Sequence, residues 1–314
     1  MALDLANCLV VGVASSALFD LSEPDAFFRA HGEQAYRLYQ EERYDDILPR
    51  GVAYPFIERL LTLNDLRPEA PLVEVIVLSR NDPMTGLRVM RSLELLALPI
   101  TRAVFTQGRA PYDYIGSFEM SLFLSGNKDD VVAATKLRFP AGHVRPSTAT
   151  CDDGDKSLRV AFDFDGVVGD DSSEEIYTSQ GMGPYREHES GRRLEAMAPG
   201  PLQKLLADLN MIQGIEAERA EVDPDYEQRL RVSLVTARNA PAHERAVRSL
   251  RDWGVEVNDA FFLGGIEKAR ILQVLKPHIF FDDQEVHLTP ASEHVAGVHV
   301  PYGIANRPTE EVVT

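Results

Sequence analysis

Apolar residues along this chain fall into two alternating patterns. Short runs dense in Val, Ile, Leu and Phe occur at 9–14 (LVVGVA), 73–78 (VEVIVL), 159–164 (RVAFDF), 231–235 (RVSLV) and 278–281 (HIFF). Their apolar density predicts strands of a parallel sheet buried on both faces. Between them, helix-like segments cover about 25–42, 84–97, 201–213, 240–253 and 267–276. Strand followed by helix, several times over, predicts an α/β fold with a mostly parallel sheet.

The pattern also echoes itself. VIVLSRNDPMTGLRVMRSLELL (75–96) and VSLVTARNAPAHERAVRSLRDW (232–253) share RN after the strand and RSL late in the helix. AVFTQG (103–108) answers AFFLGG (260–265), and LFLSG (122–126) answers IFFDD (279–283). Ordered matches at a nearly constant offset predict a duplicated α/β unit. A polar, turn-rich stretch at 140–157 separates the units, giving an N-terminal unit at 1–145, a second at 158–305 and a tail at 306–314. The halves differ where chemistry would sit. Asp282 and Asp283 answer Ser125 and Gly126, and the DFD of 163–165 has only VAS at 13–15 as its counterpart. The second unit therefore reads as catalytic and the first as chemically degenerate.

Composition narrows the function. With 314 residues and 44% apolar content, the chain can form substantial cores. Against 49 Asp plus Glu it has 32 Lys plus Arg, a net charge of −17. That field repels DNA, RNA and anionic membranes, so neither nucleic acid nor membrane is expected as a partner. A small anionic substrate needs a local metal or a few cations to overcome it. Cys8 and Cys151 are the only cysteines, which excludes a disulfide framework and a four-cysteine zinc site and suits a reducing compartment. The first residues carry no basic leader, and their apolar run is too short for a membrane span, so a cytoplasmic location is expected. His188, His278, His287, His294 and His299 form no HExxH or similar ligand pattern.

Four strand ends carry the candidate chemistry. DFDGVVGDD begins at Asp163, and its paired carboxylates Asp163 and Asp165 leave a strand where the chain turns, at the end where ligands of parallel sheets collect. RVSLV ends at Thr236, whose hydroxyl can donate to a phosphoryl oxygen, with Arg238 just beyond. Lys268 follows two glycines at the start of a predicted helix. Asp282 and Asp283 close HIFFDDQ, and oxygen-only ligands favour magnesium over zinc. Together these groups suit phosphoryl transfer through an aspartyl-phosphate.

The order DFDGV, LVTARN, EK, FFDDQ resembles the four motifs of the haloacid dehalogenase superfamily of phosphohydrolases. GVASSALFD, FTQGRAPYDYI, LRVAFDFDGVV, YREHE, LVTAR, GVEVNDAFFLGG, PHIFFDDQ and HVPYGIA are similar to segments of the cytosolic type I 5′-nucleotidase family, over about residues 10–305. The resemblance implies duplicated Rossmannoid units of the haloacid dehalogenase type, the second catalytic and carrying a small helical cap at about 171–230. It implies Asp163 as nucleophile, Asp165 as general acid, Thr236 and Lys268 on the phosphoryl group, and magnesium held by Asp163, the Asp165 carbonyl, Asp282 and Asp283. Asp282 is the first choice for direct contact, with Asp283 a second or water-mediated ligand. In the cap, Tyr177 or Tyr185 is a candidate for the base and Arg186 or His188 for sugar or phosphate; Arg238 is a further substrate contact. One departure is Phe164, where vertebrate family members carry glycine between the two carboxylates.

The expected activity is magnesium-dependent hydrolysis of nucleoside 5′-monophosphates, AMP or a related purine nucleotide first. A sugar-phosphate phosphatase and a catalytically inactive nucleotide-binding regulator are the alternatives. A nucleotide effector, and Arg109 or Tyr112 of the first unit as part of its site, stay open, as does self-association into a homo-oligomer.

Overall fold

The computed structural model describes residue 5, residues 7–150 and residues 154–307, so Cys151 and most of the expected tail lie outside the described residues. Among the described residues, ten strands form one sheet: β1 (Leu9–Val13), β2 (Val73–Ser79), β3 (Arg102–Phe105), β4 (Leu122–Ser125), β5 (Ala141–Val144), β6 (Leu158–Phe162), β7 (Leu230–Thr236), β8 (Asp259–Phe262), β9 (Ile279–Asp282) and β10 (Gly297–His299). Their order is β3-β2-β1-β4-β5-β10-β9-β6-β7-β8. All neighbours run parallel except β5 and β10, which meet antiparallel with His143 opposite His299 and Val144 opposite Val298. Outward from that seam the strands run β5-β4-β1-β2-β3 on one side and β10-β9-β6-β7-β8 on the other, the same chain order in each half. At the seam a Cβ on Gly142 would lie 2.3 Å from Val298, so only glycine permits the approach.

Successive strand residues face opposite sides of the sheet, and both sides are dry. On one face a single core runs from Val11 and Val13 to Val160, Phe162 and Phe281, under the helices Tyr54–Thr62 and Gln203–Val222. The other face carries a cluster around Val10, Ile76 and Phe123 in the first half and another around Ala161, Val235 and Phe280 in the second.

The five expected strands are β1, β2, β6, β7 and β9, and each expected helix is present with shifted ends. The largest shift bears on the cap. Of the segment 171–230, the helices Ser172–Gln180 and Met182–Gly191 pack against each other beside the carboxyl ends of β6 and β7. The helix Gln203–Val222 buries Leu205, Leu206, Leu209 and Ile212 in the main core and belongs to the layer covering the sheet. No helix of the described residues is long and apolar enough to cross a membrane.

Candidate active site

At the carboxyl ends of β6, β7 and β9 the polypeptide leaves the sheet around a cleft of about 310 Å³. Asp163 directly follows β6, and one of its oxygens accepts the Phe164 N–H at 2.7 Å. The chain then turns through Gly166, whose φ of +70° suits glycine. A Cβ there would also lie 2.7 Å from an Asp283 oxygen, so the turn is pressed directly against the second acidic motif. Thr236 ends β7 and lines the cleft; its hydroxyl oxygen accepts the Arg238 N–H at 3.2 Å, which leaves its own O–H to donate.

Lys268, at the start of the helix Lys268–Leu275, is fully buried beneath the cleft floor. Its ammonium lies 2.7 Å from an oxygen of Asp163 and 2.7 Å from one of Asp282. Burial works against that charge, but the two carboxylates outweigh it and hold the lysine above its usual range. Burial pushes the Asp163 carboxyl up to about 6 despite Lys268. Burial also opposes the charge on Asp282, yet Lys268 and His287 keep its carboxyl below the ordinary value.

The two aspartates after β9 are differently placed. Asp282 has both oxygens engaged, by the Gln284 N–H at 2.8 Å, by Lys268, and by His287 Nδ1 at 3.1 and 3.2 Å. Asp283 is equally buried, but neither of its oxygens has a partner. Burial, then Asp163 and Asp282, push its carboxyl up to about 10. Glu174 shares this pattern. One oxygen accepts from Gln284 at 2.8 Å and the other is buried without a partner. Burial and the nearby Asp165 and Asp163 raise it to about 7.

This surplus of buried negative charge is what a divalent cation would relieve. Ligand atoms of Asp163, Asp282 and His287 lie within 4.8 Å of one another, a cluster able to hold such an ion. Lys268 and His287 already occupy the Asp282 oxygens, however, so the free buried acceptors beside this cluster are both oxygens of Asp283, the aspartate ranked second from the sequence, and one of Glu174.

The other expected site residues divide. Asp165, Tyr177, Tyr185 and Arg238 line the cleft. The two tyrosine rings meet edge to face, 5.9 Å apart, and Tyr177 is half exposed. Arg186 is exposed and His188 packs against Arg245, both away from the cleft lining. Helical phase explains this: Tyr185 and Glu189, four apart on Met182–Gly191, share the inward face, and Arg186 and His188 are rotated about 80° to either side of its middle. Arg238 is not free to grip substrate. Its Nε and Nη2 donate to the two Asp165 oxygens at 2.7 and 2.6 Å, and Nη1 donates to Glu189 and to the Ala242 carbonyl. Phe164 points away from the cleft, stacking on Trp253 at 6.1 Å beneath the Arg238 guanidinium. Glu174, Asn239, Gln284 and His287 join the lining without having been singled out for it from the sequence.

The first half has a crevice of about 480 Å³ at the matching strand ends. There Ser15 and Ser79 hydroxyls bond each other at 3.0 Å and Arg80 pairs with Asp130. No buried unpartnered side-chain atom of the described residues lies in its lining, so it lacks the unbalanced charge of the second cleft.

A mostly parallel sheet with paired carboxylates, a hydroxyl and a buried lysine converging at its carboxyl edge, together with the family match, places the chain among the haloacid dehalogenase-like phosphohydrolases. Within them, a family model for 5′-nucleotidase matches residues 1–307, and the chain belongs to that family. Human cytosolic 5′-nucleotidase 1B is 30% identical over 293 residues, which cover 91% of this chain and 47% of the relative. The chain thus spans about half the length of the curated relative it matches. No solved structure matches it significantly.

Proposed function

We propose that the chain is a cytoplasmic, magnesium-dependent 5′-nucleotidase that hydrolyses nucleoside 5′-monophosphates, AMP or a related purine nucleotide first. The observation that carries this reading is the Asp163–Lys268–Asp282 ion cluster under the cleft, with the unpartnered Asp283 pressed against the Gly166 turn beside it. Membership of the 5′-nucleotidase family and a cytosolic human relative support the substrate class and the compartment.

In this reading a carboxylate oxygen of Asp163 attacks phosphorus, forming the aspartyl-phosphate as the bond to the nucleoside 5′ oxygen breaks. Asp165 gives its proton to that leaving oxygen and then takes one from the water that cleaves the acyl-phosphate, releasing inorganic phosphate. Lys268 steadies Asp163 and the transferring group, and Thr236 donates its O–H to a phosphoryl oxygen. Asp163 and Asp283, with Asp282 and the Asp165 carbonyl, would hold magnesium, which supplies charge neutralisation at the phosphoryl oxygens when bound. Tyr185, whose phenol burial keeps it above its ordinary range and so neutral, offers the base an aromatic wall together with Tyr177. The two sheet halves are read as a duplicated Rossmannoid unit in which only the second kept its carboxylates, with Ser172–Gln180 and Met182–Gly191 as its cap.

The test is phosphate release with and without magnesium from AMP, IMP, deoxynucleotides, pyrimidine monophosphates and sugar phosphates, alongside Asp163→Asn. Selective release from 5′-monophosphates, lost in the variant, is the expected result. Equal or better release from sugar phosphates refutes the substrate class, and no release from a folded protein refutes the activity.

A further inference from the structure

Four charged side chains run from the cleft into the interior in alternating sign: Asp165, Arg238, Glu189 and Arg245. Side-chain exposure falls from 18% at Asp165 to 1% at Arg238 and 0% at Glu189, and it is 4% at Arg245. The chain of charges therefore opens toward the cleft at its carboxyl end. Glu189 has no freedom within it. One oxygen takes the Ser173 hydroxyl at 2.7 Å and Arg245 Nη1 at 2.8 Å, and the other takes Arg238 Nη1. Arg238 is fixed in turn by Glu189, the Ala242 carbonyl and the Phe164 ring below it, so that its remaining edge meets Asp165 as a planar two-point fork. A fork of this kind sets both the distance and the plane of the carboxyl group it holds.

We propose that Glu189 is a positioning residue: by locking the Arg238 guanidinium it sets where the Asp165 carboxyl stands, with the fork taking one lone pair of each oxygen and the other left to carry the proton for the leaving oxygen. The elements involved explain why the sequence uses separate pieces for this. Glu189 comes from the cap helix Met182–Gly191, Arg238 from the turn after β7, and Arg245 from the helix His243–Asp252. Closure of the cap helix on the sheet thus bears directly on the geometry of a group at the reacting centre. The inference rests on the reading of Asp165 as the general acid.

The experiment compares kcat/KM for AMP with that for p-nitrophenyl phosphate, whose leaving group departs as a stable anion without a proton. Because kcat/KM reports steps only through departure of the leaving group, later hydrolysis of the acyl-phosphate does not enter. Glu189→Gln is expected to lower the AMP value about 10- to 100-fold, the scale of a small misplacement of a reacting group, and the p-nitrophenyl phosphate value less than about threefold. Arg238→Lys, which keeps a charge opposite Glu189 and loses the fork, is expected to show the same selectivity and guards against a folding defect in the first variant. Melting curves confirm that each protein is folded. Asp165→Asn is the control for the underlying assignment. If it discriminates between the substrates but both positioning variants slow them equally, or slow neither, positioning by Glu189 is overturned. If Asp165→Asn itself slows both substrates equally, the acid assignment fails and the proposal fails with it.

Discussion

Replacing Asp283 with asparagine tests the electrostatic reading of the cleft without relying on turnover. The Asp283 carboxyl is buried with neither oxygen partnered, and burial with Asp163 and Asp282 pushes it up to about 10 in the metal-free fold. A carboxyl that keeps its proton in the fold and loses it on unfolding costs stability as pH rises above its ordinary value, at about 1.4 kcal/mol per pH unit. The native state binds more protons than the unfolded chain across this window, so the slope of stability against pH is negative. The penalty begins near pH 4 and stops growing only near pH 10; at pH 7 it reaches about 4 kcal/mol as an upper bound. An asparagine side chain cannot ionise, so the variant escapes the penalty while filling nearly the same volume. Thermal melts in chelator should show Asp283→Asn more stable than the unmodified protein at pH 7–8, by several degrees. The gap should narrow toward pH 4. Millimolar magnesium should reverse the order, because a bound cation stabilises the ionised aspartate of the unmodified protein and finds no such ligand in the variant. A variant that melts below the unmodified protein in chelator, or that gains as much from magnesium, refutes the argument.

Other outcomes follow from the same geometry. Lys268→Met leaves Asp163 and Asp282 buried without their shared cation, so phosphate release should fall at least about a thousandfold and a denaturant titration should show a loss of roughly 3–5 kcal/mol. Arg186→Ala, at an exposed position outside the cleft lining, should leave kcat/KM for AMP within about twofold of its original value. Phe164→Ala should cost about 3–5 kcal/mol in a denaturant titration through the cavity it opens against Trp253, since that ring packs inward.

Much of the site was readable because its residues stand at the ends of apolar strands. Asp163, Thr236 and Asp282 each close a run of Val, Ile, Leu or Phe whose type the pattern reveals, and parallel strands bring their carboxyl ends to one edge. Lys268 is a different case. Nothing in GGIEK distinguishes a fully buried ammonium from a solvated one: its place after two glycines at a helix start made it a candidate, and the resemblance to known phosphohydrolases gave it a role. The short strands β5 and β10 escaped because AGHV and GVH hold too few residues to display a period, and the antiparallel joint between them depends on the close approach at Gly142.

Glu189 shows where sequence reasoning runs out, and why. It lies in MGPYREHESG, a helix with a largely polar face, and by composition it is one carboxylate among several. Helical phase pairs it with Tyr185 on the inward face and moves Arg186 and His188 off it, so that part of the arrangement was readable. What phase could not supply is the partner. A buried glutamate is tolerable only when donors or opposite charges reach it, and for Glu189 the charges come from Arg238 and Arg245, beyond a helix, a turn and a strand. The residues proposed to act on phosphorus stand mostly at the ends of separate strands, whose meeting point topology dictates. Residues that hold those groups in place meet through side-chain reach across the cap boundary, and no local pattern encodes it. The reach of Arg238 also decides its role. At a strand end it reads as a substrate contact, and in the fold every guanidinium nitrogen is engaged by protein, two of them by Asp165.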